Sequence, residues 1–274
     1  VIQAVFKYQF LQNALFASVL ASIVCGIIGV IIVEKKLVMM SGGIAHTAYG
    51  GVGLGYLLGI EPIIGAFLFS LCAAFGIGVV KRKGGVQSDV VIGLFWSLGM
   101  ALGIVFIACM KGYPPDMNSY LFGNILSVTK SDLKWMLIMT ILVVSVVLVL
   151  FQDWKAYLFD EEFASIIGIK TVILEFLLLA LIAMSIVVLI RVAGIILVLA
   201  LLTAPAATAK LFSSQLLKCM IFSIICGIIF CVAGLWISYV VNVASGASIV
   251  ILAVVFYFVV YGISTIVRKR KVRS

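Results

Sequence analysis

Charge is what this sequence has least of: 11% of its 274 residues are Asp, Glu, Lys or Arg, against 65% apolar residues. Soluble domains carry about 25% charged residues. A chain this depleted has too little polar surface to coat a water-facing globule, so lipid is its solvent. Strands alternating over about 10 residues, as a membrane barrel needs, are also missing. The apolar runs are longer and continuous, and helices satisfy their own backbone hydrogen bonds in lipid. The expectation is therefore an all-α polytopic membrane protein. No CxxC occurs among the six cysteines (Cys25, Cys72, Cys109, Cys219, Cys226, Cys231), which disfavours a zinc ribbon or dithiol redox motif. All six fall within or beside apolar runs and read as small packing residues. No GxxxxGK[ST] is present, so ATP cannot bind through a P-loop. Paired carboxylates, a Ser/His/Asp set and HExxH are absent too, leaving catalysis no visible seat. The sequence opens on Val1 rather than Met, so a few preceding residues are expected, and no cleavable signal precedes a soluble domain.

What is present is hydropathy, with a mean of +1.35. A span takes roughly 20 apolar residues. Segments at about 10–33, 41–59, 63–80, 90–109, 132–151, 171–190, 193–209, 216–240 and 246–267 qualify, nine in all. The second is glycine-rich and the seventh carries Pro205, so eight spans plus a re-entrant piece is the alternative. The net charge of +9 sits in short clusters between the runs, as topology signals do. With nine spans, one side collects Lys35, Lys36, Lys81, Arg82, Lys83, Lys155, Lys170, Lys210, Lys218 and the tail Arg268, Lys269, Arg270, Lys271 and Arg273. The other side holds Lys7, Lys111, Lys130, Lys134 and Arg191. Fourteen against five puts the C-terminus in the cytoplasm and the N-terminus outside. The basic tail reads as an anchor on anionic headgroups, not a nucleic-acid site.

Three stretches do more than span. In Ser41–Gly59, the residues Gly43, Thr47, Gly51, Gly55 and Gly59 recur every four positions, a stripe that lets neighbouring backbones approach. The single histidine, His46, lies among Gly42, Gly43, Tyr49 and Gly50, so its imidazole is expected to project into open space beside thin backbone. An ionisable residue at membrane depth marks a pathway by default, and neutral imidazole is a transition-metal ligand. A packing histidine bonded to a carbonyl is the plainer reading. In the loop 152–170, Asp160 can cap a helix whose first turn carries Glu161 and Glu162. Phe163, Ile166 and Ile167 then share a face, and Gly168 is a C-terminal stop. Such a helix lies on lipid or docks into a partner, and its acidic end favours a protein groove. In Ala193–Lys210, Pro205 removes a helix hydrogen bond, with Thr203 and Thr208 available to re-satisfy freed groups. That stretch reads either as a kinked packing helix or as a gate-lining one. Glu175 is expected at the membrane interface, and the outside loop 111–134, with Pro114, Pro115, Asp116 and Asn124, is long enough to meet an external partner.

These stretches together resemble the membrane permeases of bacterial and archaeal ABC importers for zinc, manganese and iron. VIIVEKKLVMMSGGIAHTAYGGVGLG is similar to that family's first helix, basic turn and second helix, and FDEEFASIIGI, beginning at Phe159, to its cytoplasmic coupling helix. VAGIILVLALLTAPAATAKL, GLWISYVVNVASGASIVIL and the last span extend the likeness over nearly the whole chain. The resemblance implies one permease domain over 1–274 of the cobalamin/metal-chelate importer type, with a coupling helix near 159–168. It implies a homodimer in the bacterial or archaeal cell (inner) membrane, with translocation along the two-fold axis. A separate ABC ATPase would grip the coupling helix, and an extracytoplasmic metal-binding protein would deliver a divalent ion, zinc or manganese, that is cargo rather than cofactor. His46 carries over as the metal ligand, with Gly42, Gly43, Tyr49, Gly50 and Pro205 along the path. Many members carry an Asp one turn before the histidine; here that position is Gly42. An imidazole-only site mildly favours zinc over manganese by softness. A gradient-driven transporter or channel is the competing function, though no inverted repeat is evident. An intramembrane enzyme or scaffold would need a second polar group near His46.

Overall fold

The computed structural model describes residues 8–84, 87–110, 118–123 and 125–273, with side chains through Ile266. Lys7, Lys111, Pro114, Pro115, Asp116 and Asn124 lie outside the described residues, as do the side chains of the tail Arg268–Arg273. Among the described residues the chain is helical: α1 Gln9–Glu34, α2 Val38–Leu58, α3 Pro62–Lys83, α4 Ser88–Ala108, α5 Asn118–Phe122, α6 Lys130–Val149, α7 Phe151–Phe159, α8 Glu161–Ile166, α9 Thr171–Phe212, α10 Leu216–Val241 and α11 Ser245–Arg273, plus a 3₁₀ turn at Ile125–Ser127. Seven are long and apolar enough to cross a membrane.

Two of the nine expected crossings need a closer look. Six glycines, His46 and two tyrosines dilute the hydropathy of the 21-residue α2, which is wrapped by α3 and α4 instead of lipid. The 42-residue α9 merges the sixth and seventh segments. Straight, it would run about 63 Å, at 1.5 Å per residue, twice the hydrocarbon thickness. It turns back at Gly194, whose φ of 74° and ψ of 160° belong to a region that only glycine visits readily. Ion pairs show the reversal independently. Near its start, Glu175 meets Lys81 and Arg82 at 2.8 and 2.6 Å; near its end, Lys210 meets Glu34 at 2.9 Å. Glu34 adjoins Lys35, which pairs with Glu161 at 2.9 Å, and Arg82 faces the same Glu161. Both ends of α9 thus lie in one charged layer, and its two limbs correspond to the sixth and seventh of the nine expected segments, each of which is helical. Arg191, by the turn, pairs with Asp132 at 3.2 Å at the opposite end.

Details depart from expectation. The break falls at Gly194; Pro205 stays within continuous helix. Thr203 and Thr208 donate to the carbonyls of Leu199 and Ala204, each four residues back, and not to the Leu201 carbonyl that proline leaves free. Glu175 lies at the charged layer as expected, yet only 4% exposed, because two cations neutralise it. Asp132 closes a capping box with Thr129 at the start of α6 while holding Arg191.

One apolar cluster runs from Ala14 to Ala253, built mainly around α1 and α9. The glycine stripe of α2 serves two neighbours. Steps of four residues advance about 400° on a helix, so the stripe drifts about 40° each step. Along the stripe, Gly43 and Thr47 meet Ile92 and Gly99 of α4, whereas Gly51 and Gly55 meet Gly65 and Pro62 of α3; Gly50 and Gly53, off the stripe, also face Gly99 and Gly103. At Gly51 a Cβ would collide with the Gly65 backbone. Gly51→Leu is expected to lower stability by about 1–3 kcal/mol or more, since overpacking against backbone cannot relax through a rotamer. Thermal unfolding in detergent checks this, with Gly93→Leu as control because nothing lies within 4 Å of a Cβ there.

Candidate functional site

The α2–α4 seam places the imidazole. Gly42, Gly43, Tyr49 and Gly50 share α2 with His46. Across from them stand Ile92, Trp96, Gly99 and Gly103, spaced four, three and four residues apart on α4, so that one face meets α2. The carbonyl of Gly99 would lie 2.5 Å from a Cβ at Gly50, and Tyr49 packs against Gly103. The Thr47 hydroxyl shares its proton between Gly43 O at 2.7 Å and Phe95 O at 3.0 Å, fixing the register of the two helices.

His46 does not project into open space. Trp96 covers it, the two ring centroids 4.0 Å apart and the planes 11° from parallel. The imidazole is half-buried, and its Nδ1 is buried without a hydrogen-bond partner. That removes the carbonyl-bonded packing reading for Nδ1. An unpartnered imidazole nitrogen can accept a hydrogen bond or donate its lone pair to a transition metal. Among the described residues no group of three or more His, Cys, Asp and Glu gathers around a point, so His46 is not part of a ready-made cluster of that kind. Gly42 fits the same arrangement: a Cβ there would sit 3.3 Å from Trp96 Cζ3, so any longer side chain requires the indole to move. Pro205 belongs to a different element, buried on the second limb of α9.

The second cluster is the segment between α6 and α9. Asp160 Oδ1 accepts from the Glu162 and Phe163 amides at 2.9 and 3.0 Å, capping α8 as its sequence required. Gly168, at φ 89°, ends the segment. The apolar residues then face outward: Phe159 is 91% exposed and Ile166 82%, with Phe163 and Ile167 each more than half exposed. Glu162 is exposed as well, whereas Glu161 turns to the charged layer. Below, α7 is seated by Trp154 and Tyr157, both essentially buried. A short, capped helix showing aromatic and aliphatic side chains beside an ion-paired base is shaped to be gripped.

At the other end a cavity of about 180 Å³ opens between α2, α3, α5 and α9, its polar lining being Tyr56, Glu61, Tyr120 and Arg191. The hydroxyls of Tyr56 and Tyr120 are 3.1 Å apart. Burial, then this hydrogen bond, keeps Tyr120 above the usual phenol range, so it stays neutral. The turn at Gly123 backs onto the break at Gly194.

Sequence reasoning missed Trp96 and the ion pairs of Lys35, Arg82 and Glu161. The spacing of Ile92, Trp96, Gly99 and Gly103 was the available signal for the first; pairings across distant loops left none for the second.

The comparisons agree with this layout. The family model of the ABC 3 transport family matches residues 7–264. An uncharacterized membrane protein of Synechocystis is 42% identical over 253 residues, covering 92% of this chain and 90% of that protein. The manganese transport system membrane protein MntC of Listeria monocytogenes is 35% identical over 260 residues, covering 95% and 92%. Among solved structures, PsaBC from Streptococcus pneumoniae in complex with Fab aligns with a TM-score of 0.86 and 34% identity, covering 95% of this chain and 94% of that one. A match over almost the whole length, in sequence and in three dimensions, settles the kinship: the chain belongs to the ABC 3 transport family.

Proposed function

We propose that this chain is the permease subunit of an ATP-driven importer that carries a divalent transition metal ion into the cytoplasm, with manganese as the ion. Family membership supports the transport role, and relatives named for manganese transport favour that ion over the zinc that a lone imidazole would suggest. The observation that carries the mechanism is the pairing, on one chain, of a half-buried imidazole whose Nδ1 has no partner with an outward-facing apolar helix at the charged end of the bundle.

In this reading residues 1–274 form one permease domain in the bacterial inner membrane. The charged layer, with Lys35, Lys81, Arg82 and Lys210, lies on the cytoplasmic side, as the positive-inside rule requires. A separate ATPase grips Phe159–Gly168 through Phe163, Ile166 and Ile167. An extracytoplasmic binding protein delivers the ion at the other end. The ion is cargo, and His46 is its side-chain ligand beside Gly42, Gly43, Tyr49 and Gly50. A second copy of the chain completes the path, adding the donors that one chain lacks, and Pro205 sits in the helix limb that moves. The single side-chain donor suits transient binding, because an importer must release its cargo.

The test is genetic. Cells lacking this chain, its ATPase and its binding protein are complemented with all three under depletion of each divalent metal in turn. Restored growth and ⁵⁴Mn accumulation in manganese-poor medium is the expected result. Rescue confined to zinc limitation assigns the other ion, and uptake by the lone chain in liposomes without an ATPase would replace this reading with a gradient-driven one.

A further inference from the structure

Glu161 of α8 is approached by two cations, and they are not equivalent. Lys35 Nζ lies 2.9 Å from Glu161 Oε2 and donates to it. Arg82 Nη2 stops 3.7 Å from Oε1, too far for a hydrogen bond, while its Nε is committed to buried Glu175 at 2.6 Å. Lys35 is also the better enclosed of the two, with a side chain 17% exposed. Its ammonium sits 3.5 Å from the centroid of the Tyr157 ring, itself 2% exposed. A cation that rests on a buried aromatic face as well as against a carboxylate holds its place more firmly than one paired in open solvent, even though the Glu161 side chain is 45% exposed.

Position in the chain gives this contact its meaning. Lys35 caps α1, its amide bonded to Ile31 O at 3.0 Å. Lys36 follows in the left-handed region at φ 57°, and Leu37 N bonds back to Ile32 O at 2.8 Å. α2 begins at the next residue, Val38, and His46 comes about 12 Å further along at 1.5 Å per residue. The turn is therefore short and fully bonded, with little slack between the Lys35 side chain and the helix that carries the imidazole.

We propose that Lys35 is the positioning residue through which movement of α8 reaches α2 and His46. The proposal rests on reading α8 as the helix gripped by the ATPase. Displacement of α8 carries Glu161, Glu161 carries Lys35, and the α1–α2 turn passes the shift to the first turn of α2. Arg82 provides a looser tie to α3. Tyr157 keeps the ammonium directed at Glu161.

The measurement uses the permease with its ATPase and binding protein in proteoliposomes, recording ⁵⁴Mn uptake and ATP hydrolysis together. Lys35→Gln is expected to reduce metal moved per ATP about tenfold, within the range of ordinary coupling free energies, while the ATPase still copurifies and hydrolysis continues. Lys35→Arg should restore most of the ratio. Lys210→Gln removes one cation from the same layer, where it pairs with Glu34 and not with α8. It should leave the ratio unchanged. An unaltered ratio in Lys35→Gln overturns the proposal. So does loss of hydrolysis and copurification together, which would make Lys35 part of the fold or of the docking surface, or an equal loss in Lys210→Gln. A wild-type complex that hydrolyses ATP without moving metal would instead overturn the functional reading itself, so the Lys35 comparison is made against a wild type shown to couple.

Discussion

His46→Ala is expected to bring metal uptake to background while the permease still assembles with its ATPase. The imidazole is the one histidine of the chain, and its Nδ1 is buried without a hydrogen-bond partner among the described residues. Removing a mere second-sphere partner of a metal typically costs 10- to 100-fold in affinity or activity, about the least to be expected when the ligand itself goes. The fold has little need of this side chain: the α2–α4 seam is closed by glycines and by Thr47, none of which His46 supports. What it does lose is the stacking partner of Trp96. Offset aromatic contacts contribute about 0.5–1.5 kcal/mol, so a modest drop in thermal stability should accompany the change. Copurification of the ATPase, the thermal midpoint and ⁵⁴Mn uptake separate the two roles. Retained uptake, or loss of assembly along with it, would show that the imidazole serves packing.

Glu162→Arg combined with Phe163→Ala should be nearly as severe, by a different route. Phe163 is 54% exposed on the outward face of α8, and Glu162 stands beside it in the first turn. Truncating a central aromatic anchor of an interface costs about 2 kcal/mol or more, roughly thirtyfold in affinity. Reversing the charge at Glu162 also sets a cation against the positive end of the helix, which favours anions there. Neither residue pairs with Lys35 or Arg82, so the base of the segment is untouched. ATP hydrolysis should become independent of metal delivery and uptake should fall at least tenfold, by about the 1.4 kcal/mol that a factor of ten represents. Uptake at the normal rate would remove α8 from the coupling role.

Much of this arrangement was legible in the residues alone, and the limits have physical causes. Apolar runs announce helices because lipid leaves no alternative, so nine segments could be counted and each is helical, although the glycine-rich one is too weakly apolar to qualify as a span by composition. The capped helix at Asp160 was equally readable, since a cap, its acidic first turn and its glycine stop are all local in sequence. The site of reversal was not. Pro205 draws attention as a helix breaker, yet a proline costs a helix one bond, whereas Gly194 leaves helical geometry altogether. An isolated glycine in an apolar run looks like any other. The surroundings of His46 were half visible: its helix neighbours follow from spacing, but Trp96 comes from a separate element and closes what seemed open. Counting charges put Lys35 and Arg82 on one side, and the ion pairs do gather both around Glu161, but a count says nothing about partners 79 to 126 positions apart.

The reversal at Gly194 has a consequence for how the protein meets the outside. Because two membrane crossings are joined there almost without a loop, that end of the bundle spends no polar chain on the connection. Its remaining links are the tight turn at 59–61, the stretch between α4 and α6, and the turn at 242–244. On the orientation proposed, a delivering protein therefore gains no contact loop from the α9 reversal and meets the other three links, with Glu61, Arg191 and the residues around α5 beside them.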